Sequence, residues 1–173
     1  MLYCRTLDLI LISAKGLKDA NIINKMDVYA VVSISGLVEG PPVIKGGGTN
    51  PTWNFPMEFI FDEAAALENR RTLIVKIKAV GMFMNTKLGE VHVPIKELLE
   101  TQGNAMQLVS FPVIRKRSGK QKGDLNFSYK FGEKFSIRED PVQKHRQRSP
   151  KKSAVPKSYP VSCGSSVCGG GCG

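Results

Sequence analysis

Leu125-Asn126-Phe127-Ser128-Tyr129-Lys130-Phe131 carries a large apolar side chain at every second position and a polar one between. That period of two is the signature of a half-buried β-strand, whose successive side chains point to opposite faces. Working outward, the same alternation returns in Val28, Ala30, Val32 and Ile34, in Met57, Phe59 and Phe61, in Leu73, Val75 and Ile77, and in Val91, Val93 and Ile95. Tyr3 to Ala14 reads as a long, largely buried strand; Pro42–Lys45 and Met106–Pro112 read as weaker ones. About eight strands joined by turns point to an all-β, eight-stranded antiparallel β-sandwich. Two short helices are expected, one over Asp62–Asn69 capped by Asp62, the other over Ile95–Thr101 and ended by Gly103.

The chain has 173 residues, enough for one domain with a real core. Its formal charge is +10. Residues 1–132 hold 17 Lys/Arg and 12 Asp/Glu, whereas residues 133–173 hold 8 and 3, so the last quarter is much the more basic per residue. The sandwich is assigned to 1–132. From about Gly132 the alternation stops, and 133–173 reads as a disordered basic tail with a Cys/Gly-rich end, poor in the apolar residues that ordering requires. A basic balance favours anionic partners. No run of 18 apolar residues is present, so no membrane-spanning helix is expected. The opening MLYCRTLDLILISA reads poorly as a secretory signal, since Arg5 and Asp8 interrupt it and no basic stretch precedes it. A cytoplasmic protein with reduced thiols is therefore expected.

Several pieces of the sequence, in order, resemble the C2 domain family. Leu7-x-Leu9-x-Leu11-x-x-Ala14-x-x-Leu17 followed by Lys25-Met26-Asp27-Val28-Tyr29 is similar to its opening. Thr49-Asn50-Pro51-Thr52-Trp53-Asn54 with Phe59-x-Phe61 resembles its central turn, and Leu73-x-Val75 with Lys87-Leu88-Gly89 resembles the strands flanking its third loop. The start on a long strand and the closing Gly123-Asp124-Leu125-Asn126-Phe127 resemble the circularly permuted form, in which the last strand fills the place that others give to their first. Within the family, the sequence resembles small plant C2 proteins linked to cold and defence responses. The resemblance implies a β-sandwich module that works at membranes and is not an enzyme. Its members often bind calcium through aspartates on the first and third loops. Aligned on Asp27 and Gly89, those positions here hold Asn21, Asp27, Lys78, Val80 and Thr86. Calcium takes six to eight oxygen ligands, several of them carboxylates. The expectation is a degenerate calcium site reduced to Asn21 and Asp27, with no metal and no cofactor.

Two surface features suit an anionic membrane. The third loop, Gly81-Met82-Phe83-Met84-Asn85, places three large apolar residues on a tip where loops are usually polar. The first loop offers Ile22, Ile23 and Met26 beside Lys25. The hairpin Arg115-Lys116-Arg117-Ser118-Gly119-Lys120-Gln121-Lys122 holds five cations in eight residues. In an antiparallel fold, loops after odd-numbered strands share one end. The first loop, the third loop and this hairpin follow strands one, five and seven, so cations and apolar tips are expected together. Each surface cation near an anionic leaflet contributes about 1 kcal/mol. Against this stand two plainer readings: a third loop folded back onto the sandwich, and a hairpin that is merely solvated.

The tail carries Lys144-His145-Arg146-Gln147-Arg148-Ser149-Pro150-Lys151-Lys152. It has no aromatic interleaving for stacking on bases, so nucleic acid is not the expected partner. Cys163, Cys168 and Cys172 are one short of a four-cysteine metal site; beside a polybasic stretch they fit acyl anchoring, with inert thiols the equal alternative. Catalysis lacks a constellation: His92 lies on the polar side of a strand, His145 lies in the tail, and Gly46-Gly47-Gly48-Thr49 lacks the Lys-Ser/Thr of a phosphate loop. The sequence thus points to a calcium-independent module for anionic phospholipid on the cytosolic face of a membrane, foremost the plasma membrane. An adaptor that docks a membrane-associated protein without lipid is the alternative.

Overall fold

The computed structural model describes residues 1–21 and 23–138. Eight strands and two short helices follow in the order β1 (Leu2–Lys15), β2 (Val28–Ile34), β3 (Leu37–Glu39), β4 (Thr52–Asp62), α1 (Glu63–Leu67), β5 (Thr72–Ala79), β6 (Thr86–Pro94), α2 (Ile95–Glu100), β7 (Gln107–Ile114) and β8 (Gln121–Ile137). All pairings are antiparallel, and the spatial order is β3-β2-β5-β6-β7-β8-β1-β4. The last strand therefore lies between β7 and the first strand, as the permuted topology requires. Among the described residues the halves β3-β2-β5-β6 and β7-β8-β1-β4 are joined by one ladder pair, Glu90 with Ile114. Both contribute to one core: Leu7, Leu9, Phe59, Phe127 and Tyr129 from one half pack with Val32, Val75, Ile77 and Val93 from the other.

The alternation explains the layers. Val28, Ala30, Val32 and Ile34 are buried while Tyr29, Val31 and Ser33 are half-buried. Leu125, Phe127, Tyr129 and Phe131 repeat the pattern on β8, and their rings interlock with Phe61 and Phe111. Asp62 caps α1 by accepting from the Ala65 amide at 3.3 Å, which satisfies one of the orphan donors of a helix start.

Three boundaries differ from the sequence reading. Strand β8 continues to Ile137, five residues past the domain end expected at 132. Opposite Thr6 the β1–β8 register shifts, with Arg5 facing Lys134 and Leu7 facing Phe131. Gly132 sits in this bulge, where a Cβ would lie 2.0 Å from the Thr6 hydroxyl oxygen. The bulge resets the phase, so the ladder goes on while the alternation breaks. Lys134 then pairs with the buried Glu63 at 2.5 Å, and Arg5 meets the same carboxylate at 3.3 Å. Pro42–Lys45 is not a strand; Ile44 alone bridges to Val28. The edge strand is instead β3, reached by the hairpin turn Ser35-Gly36, whose φ values of 54° and 86° suit a tight primed turn. Finally, Ile95 opens α2 and does not close β6. The expected basic tail, from Lys144 through Cys163, Cys168 and Cys172, lies outside the described residues.

Phe127 is fully buried and stacks on Phe111 at 5.7 Å. Its replacement by Ala is expected to destabilise the domain by about 3–5 kcal/mol, measured by urea unfolding with the slope unchanged.

Candidate functional site

Loops after β1, β3, β5 and β7 gather at one end, and backbone hydrogen bonds tie the first three of them together. The Val80 amide of the third loop donates to the Asp27 carbonyl at 2.8 Å, and the Gly48 amide donates to the Met26 carbonyl at 2.9 Å. The Leu17 amide donates to the Thr49 carbonyl at 3.0 Å, and the Gly16 amide to the Asn50 side-chain oxygen at 2.9 Å. The Thr49-Asn50-Pro51 turn thus anchors the first loop.

The third loop is closed by its own polar groups. The Gly81 amide approaches the Asn85 side-chain oxygen at 3.4 Å, and the Asn85 side-chain amide donates to the Tyr29 hydroxyl at 2.7 Å. Gly81 permits this turn, since a Cβ there would lie 2.0 Å from the Met84 carbonyl oxygen. With both ends held, Met82, Phe83 and Met84 project into solvent, 92%, 95% and 79% exposed. The loop does not fold back onto the sandwich. Ile23 on the first loop is 90% exposed and Lys25 is exposed beside it, while Ile22 lies outside the described residues. Met26 does not extend this apolar tip: it is fully buried, and its sulfur accepts from the Ala20 amide at 3.0 Å. The side chain fills the base of the loop because the first loop must cover the open end of the core.

The basic hairpin is a tight turn. The Arg115 amide donates to the Lys120 carbonyl at 3.0 Å, and the Gly119 amide donates back to the Arg115 carbonyl at 2.8 Å with Gly119 at φ +61°. Lys116, Arg117, Lys120 and Lys122 are exposed and Arg115 is half-buried. Beyond the pair Glu90–Ile114 the ends of β6 and β7 leave a cleft of about 500 Å³ between them. It is lined by Arg115, Lys116 and Arg117 of the hairpin, by Thr86, Lys87 and Leu88 of β6, by Lys18 and Ala20 of the first loop and by Met84 of the third. The structure therefore brings Met84 and the hairpin together. Ile23 and Lys25 instead border a second cleft, with Asp19, Asn21 and Gly47 to Asn50. Lys120 and Lys122 line neither of these two clefts.

The sequence pattern does not single out Lys18 or Lys87 as site residues; Lys87 is legible only as part of a strand motif. Its ammonium pairs with Glu90, whose second oxygen faces His92 at 3.3 Å. The hydrogen bond from Lys87 is the main cause that holds the Glu90 carboxyl below its ordinary pKa. Cys4, the cysteine within the described residues, is buried; desolvation and then Asp62 push its thiol up, away from the thiolate that nucleophilic chemistry needs.

The first-loop carboxylates accept from backbone amides. The Asp27 carboxylate accepts from the Gly46 amide at 2.7 Å, and Asp19 accepts from the Asn21 amide at 3.0 Å. Lys78 faces Tyr29 across the β2–β5 ladder, and Val80 and Thr86 carry no carboxylate. Among the described residues no three His, Cys, Asp or Glu side chains gather closely enough to hold a metal. No helix among them is long and apolar enough to cross a membrane.

A permuted eight-stranded sandwich with the loops after its odd-numbered strands at one end defines the class, and the chain belongs to the C2 domain family, whose model matches residues 5–110. It is 48% identical to Protein SRC2 of Glycine max over 136 residues, which covers 75% of this chain and 47% of that one. It is 46% identical to the Protein SRC2 homolog of Arabidopsis thaliana, covering 77% of this chain and 42% of that protein. The chain thus spans less than half the length of these relatives. Among solved structures, a C2 domain of plant Extended Synaptotagmin 1 matches with a TM-score of 0.58 at 15% identity, covering 73% of this chain and 92% of that one. At that identity the likeness establishes the fold.

Asp27→Ala is expected to destabilise the domain by about 1.5–3 kcal/mol, the range for a hydrogen bond to a charged group. Asp27→Asn should lose much less, because its side-chain oxygen still accepts from Gly46; equilibrium unfolding distinguishes the two.

Proposed function

We propose that this domain is a calcium-independent C2 module that binds anionic phospholipid membranes through its apolar loop tips and basic hairpin. One observation carries the reading: Met82, Phe83 and Met84 stand exposed on a loop whose base shares a cleft with Arg115, Lys116 and Arg117. Large apolar side chains on a rigid tip, rimmed by cations, match an interface that offers hydrocarbon below and anionic headgroups above. Burying one such side chain contributes about 1.5–3 kcal/mol, and the cations add long-range attraction to the anionic leaflet. Calcium independence rests on Asp27, whose carboxylate is already engaged by Gly46, and on Lys78, Val80 and Thr86 where further carboxylates would be needed.

The cytosolic face of the plasma membrane is the proposed location, and stress or defence signalling the proposed setting, from the resemblance to plant C2 proteins. The basic segment around Lys144 to Lys152 and the acylation candidates Cys163, Cys168 and Cys172 would supply a second anchoring signal, since stable attachment takes two.

Co-sedimentation with phosphatidylcholine vesicles containing phosphatidylserine tests the reading. Phe83→Asp is expected to lower affinity about tenfold or more with the melting temperature nearly unchanged. Replacing Arg115, Lys116 and Arg117 with Gln should give a loss that high salt reproduces in the unaltered protein, since exposed charges are screened. Millimolar calcium should change neither vesicle affinity nor melting temperature, which a ligand binding only the native state would raise. Indifference to vesicles of every composition would favour the protein-docking adaptor.

A further inference from the structure

We propose that the cleft between β6 and the β7–β8 hairpin is a headgroup pocket selective for lipids that carry a phosphomonoester; the proposal rests on the membrane-binding reading above. The cleft is lined by Lys18, Lys87, Arg115, Lys116 and Arg117, and among the described residues no carboxylate lines it. Lys87 is held by Glu90 at the edge. For Lys18, Arg115, Lys116 and Arg117 no ion pair occurs among the described residues. Its volume of about 500 Å³ lies within the range of small-ligand sites.

Charge selects the ligand class. A phosphodiester headgroup brings one negative charge from its phosphate. A phosphomonoester carries about −1.5 to −2 at neutral pH and three strong acceptor oxygens. Cations spread over a flat face would attract any anionic lipid alike. Cations converging on one concavity repel one another until a multiply charged, multidentate anion enters, and guanidinium groups match phosphate oxygens two at a time. The cleft exists because β6 and β7 pair only at Glu90–Ile114 among the described residues. Gly89 draws the strands together there, since a Cβ would lie 2.4 Å from Val113 Cγ1. Beyond that pair the cleft is lined by residues of β6, of the hairpin and of the first and third loops.

Position selects a lipid over a free anion. Met84 lines the cleft and also belongs to the exposed tip. A tip seated at the interface brings the cleft to headgroup level, so a lipid phosphate enters while its glycerol backbone stays in the membrane.

The full chain is tested against two sets of phosphatidylcholine vesicles, one with phosphatidylserine and one with phosphatidic acid, adjusted to equal surface potential. About tenfold tighter binding to phosphatidic acid is expected, the worth of one or two charge-assisted hydrogen bonds. Lys18→Gln with Arg117→Gln, both exposed, should abolish the preference, so that both vesicles bind alike, and should weaken binding to phosphatidylserine as well because Arg117 belongs to the basic hairpin. Lys96→Gln with Lys130→Gln, equal in charge and away from the cleft, should keep it. Equal binding of the unaltered protein to both vesicles overturns the pocket and leaves the membrane reading standing. A preference that survives Lys18→Gln with Arg117→Gln overturns its location. Loss of the preference in millimolar inorganic phosphate overturns the lipid assignment in favour of a free anion. Failure to bind either vesicle sinks the membrane reading, and the pocket with it.

Discussion

Glu90 and Ile114 form the one ladder pair between the two halves of the sheet among the described residues, and they meet there because residue 89 is glycine. Val113 Cγ1 occupies the space that any Cβ at that position would need. The close approach draws the two four-stranded halves over a common core of aromatic and branched side chains. It also ends the ladder early, so the strand ends toward the loops part and leave a cleft between them. The strand ends beyond this pair carry Lys87 and Arg115 to the cleft.

The loop end is organised by polar groups that hold the backbone. Asp27 engages the Gly46 amide, Asn50 engages the Gly16 amide, and Asn85 bridges the third loop to Tyr29. Each is a side chain whose oxygen or amide satisfies groups that would otherwise have to find water. The consequence is a loop cluster whose segments are joined by hydrogen bonds of their own. It also explains how three large apolar residues remain exposed: the turn at Gly81 and the Asn85 clamp fix both ends of a tip too short to reach back to the core. An exposed cluster of this kind is a feature that a monomeric surface rarely carries without a use.

The sandwich is shared with many proteins, and function on such a scaffold resides in the residues grafted onto its loops. The SRC2 proteins of soybean and Arabidopsis align over most of this chain and extend well beyond the aligned part.

Strands whose two faces differ are written in the residues themselves. Val28–Ile34 is legible from end to end, because burial on one face alone imposes a period of two. The Asp62 cap is legible for a similar reason, since its hydrogen bond spans three residues of chain. Even the gathering of loops at one end follows from counting antiparallel strands. What lies beyond the sequence are events decided by a partner strand. The bulge at Gly132 breaks the alternation without ending β8, and only the opposing Thr6 marks where it falls. Strand β3 has three residues, all exposed, and so writes no period at all. Met26 and Ile23 are both apolar and three residues apart, yet one closes the core and the other faces solvent. Lys18 and Lys87 become one site with the hairpin only through the parting of β6 and β7. Local chemistry sets the face a side chain prefers, but which distant backbone arrives beside it is settled by packing, and only the folded chain contains that contact.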